Sequence, residues 1–161
     1  MLKKRYMAAT IALAASYLIS QNSFAASTTA QALQQVLAAL TITQVSDLDF
    51  GTAAAGDASK TVAPGAAEDA ENASFLVTGE ANTAYTITLP ADGTVTMTTG
   101  GGGANETIGV NTFASTPAAG ANGLLDGTGQ QDLFVGATRD ALGASQVAGA
   151  YTATFTVDVV Y

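Results

Sequence analysis

Over the last eleven residues the apolar positions fall on every second residue. Tyr151, Ala153, Phe155, Val157, Val159 and Tyr161 form one set, with Thr152, Thr154, Thr156, Asp158 and Val160 between them. A period of two puts each set on its own face of a β-strand. Thr, Val, Phe and Tyr favour strands, and no Gly or Pro interrupts the run. The pattern predicts one long closing strand, Tyr151–Tyr161, with a buried face. Shorter strands are predicted over Leu40–Val45, Ser59–Pro64, Ala73–Thr78, Tyr85–Leu89, Thr94–Thr99, Thr107–Ser115 and Gln131–Thr138. Leu48 and Phe50 alternate with Asp47 and Asp49 before Gly51, where the chain can turn. Asp92-Gly93 is a hairpin signal. Thr116–Gly129 reads as a loop with Leu124 and Leu125 tucked inside. Seven to nine short strands, with no convincing helix after Val45, predict an all-β, immunoglobulin-like antiparallel β-sandwich. A closed barrel is the competing architecture.

The start of the chain follows different rules. Lys3, Lys4 and Arg5 precede an apolar run from Met7 to Ile19, and Ser23-Phe24-Ala25 is a small-x-small cleavage signal. Residues 1–25 therefore read as a secretory signal peptide. Residues 26–39 form an arm whose pattern suits either a short helix or an extended strand: Ala32, Leu33, Val36, Leu37 and Leu40 share a helical face, whereas Val36, Ala38 and Leu40 alternate. Residues 40–161 make up the sandwich domain.

Loss of the signal peptide changes the charge. Three of the five basic residues go with it, leaving Lys60 and Arg139 against all 13 acids, a net charge of −11. Such a surface has little with which to neutralise phosphates, which argues against nucleic acid and against strong binding to anionic membranes. The chain has no Cys and no His. The usual nucleophile–base pairs are absent, and only Lys60 could act as a base for a hydroxyl. The expectation is a non-enzymatic protein without cofactor or catalytic residues.

Other motifs carry weak chemistry. Asp47 and Asp49 lie on one strand face, as glycoside hydrolysis would need, but they equally serve as the polar positions flanking Leu48 and Phe50. Asp126–Asp132 spaces oxygen ligands loosely as calcium would require, without the ordered carboxylates of an EF-hand; a turn accounts for it better. Asn72-Ala73-Ser74 and Asn105-Glu106-Thr107 match the glycosylation sequon.

Three segments carry a family resemblance. Leu40-Thr41-Ile42-Thr43 leading into Asp47-Leu48-Asp49-Phe50-Gly51, the run Ala84–Pro90, and the ending Gly149–Tyr161 resemble the bacterial secreted domains called DUF4402. The ending is more distantly similar to that of spore-coat-protein-U-type and other chaperone–usher pilins. That likeness implies a sandwich completed by strand addition, first by a periplasmic chaperone and then by the arm of another subunit. The residues it singles out for strand pairing are Leu40, Ile42, Tyr151, Phe155, Val157, Val159 and Tyr161, all of which also suit an ordinary sandwich core. The function expected is a secreted or cell-surface structural or adhesion subunit. The alternative is a self-contained binding module that holds a glycan or protein with the loops Gly100–Asn105 and Thr116–Gly129. Two arrangements stay open for the closing strand: Leu40–Val45 of the same chain lies beside it, or another molecule does.

Overall fold

The computed structural model describes residues 26–161; the expected signal peptide lies outside the described residues. Contacts gather Gln35–Tyr161 into one compact unit, which holds every strand: β1 (Thr41–Ser46), β2 (Lys60–Val62), β3 (Ala73–Thr78), β4 (Ala84–Thr88), β5 (Val95–Thr98), β6 (Thr107–Thr116), β7 (Gly120–Leu124), β8 (Gln130–Arg139) and β9 (Asp158–Val160). Residues 26–39 take neither helix nor strand and are exposed.

The strands form two antiparallel sheets. The larger runs β1-β3-β8-β6-β5, with β2 also paired to β8, and the smaller runs β7-β4-β9. β8 is the spine. One of its edges carries β3 over Gln130–Val135 and then β2 over Ala137–Arg139, while the other carries β6. Gly136 sits at the changeover, where a side chain would collide with the Val62 carbonyl and the Ala63–Pro64 backbone; only glycine permits that approach.

Alternation within these strands builds the core. Ala73 and Val77 of β3 and Leu133 and Val135 of β8 meet Tyr85 and Ile87 of β4, together with Leu125 and Val157. Burying each of the larger side chains contributes about 1.5–3 kcal/mol. A second cluster, Phe50, Val62, Val95, Val110 and Ala137, contains no residue of the smaller sheet. Leu48, Phe113 and Phe155 pack against both clusters. The Phe155 ring lies 5.2 Å from Phe113 and edge-on to Phe75 at 6.4 Å, so the closing segment ties the two halves of the core together.

Three expectations need correction. Thr116–Gly129 is not all loop, since it contains β7, and Leu125 is buried whereas Leu124 is exposed. Asp92-Gly93 does make a turn, but β4 and β5 belong to different sheets, so it is no hairpin. The turn is held on β6 instead: Thr112 N–H donates to Asp92 Oδ1 at 2.6 Å and Gly93 N–H to Asn111 Oδ1 at 2.7 Å. Finally, Tyr151–Tyr161 is not one continuous strand. Thr152 bridges Thr98 at the edge of the larger sheet, and pairing resumes only at Asp158–Val160, on β4 of the smaller one. Alternation reports which side chains are buried, and Val157 is buried with Phe155 and Val159 partly so. It cannot report that the backbone changes sheets between them.

Candidate functional site: an open seam between two strand edges

The sandwich ends on one flank in two strands that each have one partner. Among the described residues β1 pairs only with β3, and β9 only with β4. The runs 40–48 and 153–161 lie along this flank in opposite directions. At one end Leu40 and Tyr161 both pack on Gly79. At the other, Asp47, Leu48 and Phe50 face Thr152, Ala153 and Phe155 across a cleft of about 240 Å³. No backbone ladder joins the two runs. The backbone groups of Ala153–Val157 make no hydrogen bond to any described residue. A stretch of extended backbone with unpaired N–H and C=O groups is a template for another strand.

The structure places the sequence-predicted residues as follows. Leu40, Ile42, Phe155 and Val159 pack against the main core, which includes Val157. All five therefore serve the sandwich interior, and the seam is defined by their backbone. Leu40–Val45 does not lie in register beside the closing strand; Ile42 pairs with Val77 instead. Tyr151 stands apart at the far end, its hydroxyl donating to the Val147 carbonyl at 2.7 Å with the Asn105 carbonyl 3.1 Å away. Tyr161 closes the near end. Its hydroxyl accepts from Glu80 N–H at 2.6 Å and donates to the Ala38 carbonyl at 2.9 Å, and Glu80 Oε2 accepts from Ala38 N–H at 3.0 Å.

The weaker candidates are absorbed by local structure. Asp49 Oδ1 accepts from Gly51 N–H at 2.7 Å, Asp47 Oδ1 accepts from Gln44, and Lys60 donates to Glu71 Oε1 at 2.7 Å. Asp126 Oδ1 takes bonds from the Thr128 hydroxyl and from the Gln130 and Thr128 amides. Those bonds, the hydroxyl's first, hold its carboxyl below the usual range and leave this oxygen committed to the turn. Asn72 is fully buried. Its Nδ2 donates to the Pro64 and Ala67 carbonyls at 2.9 and 2.8 Å, so the first sequon has no accessible acceptor in the folded domain.

No curated protein and no solved structure matches the chain. The family model described as "Domain of unknown function (DUF4402)" matches residues 40–161, the whole sandwich from the residue before β1 to the end of the chain, and the protein belongs to that family.

Proposed function

We propose that the protein is an exported, non-enzymatic structural subunit of a bacterial surface fibre, assembled by strand addition at the seam. The observation that carries this reading is the unpaired backbone of Ala153–Val157, lying between the Thr98 bridge and β9. The occupant is the arm, residues 26–39, of a second copy. The arm lies outside the family domain, and Leu33 and Val36 are 87% and 80% exposed. Leu33 and Leu37 fall on one face of an extended chain. Fourteen residues at about 3.3 Å each reach roughly 46 Å, more than the length of the seam. The arm also carries no charged side chain, while the domain carries all 13 acids. A strongly acidic surface therefore does not repel it. Backbone bonds would supply affinity and alternate side chains register. A periplasmic chaperone would cover the same edge before assembly.

The test compares residues 26–161 with 40–161. The longer form is expected to oligomerise or to co-purify with a chaperone, and the shorter to remain a monomer that a peptide of residues 26–39 binds and stabilises. Monomers in both cases, indifferent to the peptide, would refute the reading. The alternative, a binding module using Gly100–Asn105 and Thr116–Gly129, draws less support. Glu106 folds back to accept from Gly103 N–H, and the second segment is partly spent on β7.

A further inference from the structure

The described residues contain only two cations, and the fold puts them together. Lys60 and Arg139 are directly opposed in the β2–β8 ladder, so both side chains leave the same face. Like charges in that position repel. Lys60 is relieved by Glu71. Arg139 is not: only 5% of it is exposed, yet none of the 13 acids forms an ion pair with it among the described residues. Its Nη1 donates to the Asp140 backbone carbonyl at 2.9 Å. Asp140 Oδ1 accepts from Asn111 Nδ2 at 3.1 Å, and Asp49, which shares the cavity lining with Arg139, accepts from Gly51 N–H through Oδ1. A buried guanidinium without a counter-charge costs several kcal/mol unless something compensates it.

What lies beside it is a cavity of about 500 Å³. Its lining is about evenly polar and apolar: Leu48, Phe50, Met97, Ile108 and Leu142 supply the apolar part, and Arg139 and Asp49 are the charged residues on it. It is roofed by two loops tied by their backbones, Gly56 N–H to the Gly143 carbonyl at 3.1 Å and Leu142 N–H to the Asp57 carbonyl at 2.8 Å. Among the described residues no buried side-chain nitrogen lacks a hydrogen-bond partner. The guanidinium nitrogens that make no protein bond therefore keep some accessible surface.

We propose that this cavity binds a small organic carboxylate with an apolar body, its carboxylate on Arg139 and its hydrocarbon part against Leu48, Phe50, Met97 and Ile108. A guanidinium receives a carboxylate through two parallel N–H bonds. The apolar side chains of Leu48, Phe50, Met97 and Ile108 favour a ligand with a hydrocarbon body over an inorganic anion. The Lys60 charge adds attraction without contact. The site adjoins the far end of the seam, whose cleft shares Leu48, Phe50 and Met97 with it, but carboxylate binding does not depend on strand addition.

The test reads the guanidinium itself. The sequence holds two arginines, Arg5 and Arg139, so the Nε–H region of a nitrogen-15 NMR spectrum is nearly empty, and Arg139→Gln identifies the signal. Titration of the exported protein with hexanoate should shift that signal saturably. Hexanol, of the same length without the charge, should bind at least tenfold more weakly. Arg139→Gln should lose at least tenfold in hexanoate affinity, followed on the Met97 and Ile108 methyl signals. Should Arg139→Gln not fold, Lys60→Gln, at a more exposed position, is expected to weaken hexanoate and leave hexanol unchanged. No saturable shift, equal affinity for hexanol, or unchanged affinity in the folding variant would overturn the proposal.

Discussion

The hydroxyl of Tyr161, the last residue, donates to the carbonyl of Ala38 at 2.9 Å across 123 positions of sequence. It also accepts from Glu80 N–H, so a single oxygen fastens the chain end to the segment entering β1 and to the β3–β4 turn. Tyr161→Phe should lower stability by about 1 kcal/mol, the net value of a part-exposed hydrogen bond, seen as a lower urea midpoint with unchanged slope. The Glu80 amide should exchange faster. Under strand addition the arm must leave its own domain, so the variant should also assemble more readily. A variant as stable as the parent would show the bonds to be incidental.

Thr112 holds a strained conformation for a visible reason. It sits at φ 53°, in the irregular part of the β6–β8 pairing between Asn111 and Ala114, with its amide held by Asp92. A β-branched residue is poorly suited to the left-handed region, whereas Asn tolerates it. Thr112→Asn at this exposed position should stabilise the domain by about 1 kcal/mol, measured by chemical denaturation. Asp92→Ala should do the opposite, by freeing the Thr112 amide.

Most strands were legible because burial on one side leaves a period-two trace: Ala73, Phe75 and Val77 on β3, and Tyr85 and Ile87 on β4, point inward as their spacing predicts. What spacing cannot carry is partner choice. Nothing in Asp92-Gly93 says that the next strand joins the other sheet, and nothing in Thr152–Val157 says that the backbone leaves one sheet edge for another. β7 escaped because Gly120-Ala121-Asn122-Gly123 has loop composition; Gly123 is needed because the Tyr85 ring lies against it. For the cavity the sequence carries one signal: Lys60 and Arg139 are the only cations after residue 25. Their placement opposite each other emerges only from the β2–β8 register.

The acid limb of stability should trace to two turns. Asp69 accepts from the Asn72 and Glu71 amides, in that order of effect, and its carboxyl is held below the ordinary value of 3.8, as is that of Asp126. A carboxyl whose pKa is depressed by folding stabilises the native state above its unfolded pKa and loses that contribution as pH falls through the folded value. Stability should therefore be flat from neutrality to about pH 5 and decline below about pH 4. Asp69→Asn and Asp126→Asn should each reduce stability at pH 7 and make the decline shallower, read from thermal midpoints between pH 7 and 2. An equally steep decline in both variants would place the acid sensitivity elsewhere.

Hydrogen exchange offers the most direct look at the seam. The amides of Ala153–Val157 have no described acceptor, while Thr152 N–H donates to the Thr98 carbonyl at 3.1 Å and Asp158–Val160 pairs with β4. The side chains of Phe155 and Val157 face the core, so slow exchange between Thr152 and Asp158 would require a partner strand, since burial of side chains does not itself protect an amide on an open edge. In the form lacking the arm, residues 153–157 should exchange orders of magnitude faster than the Val77 or Leu133 amides inside the larger sheet, whose opening requires global unfolding. Addition of a peptide of residues 26–39 should slow alternate amides within 153–157, because along a strand edge every second residue points its N–H outward to one neighbour. Protection of all five alike would indicate a general tightening of the domain, and protection in the isolated short form would mean that the edge is already closed.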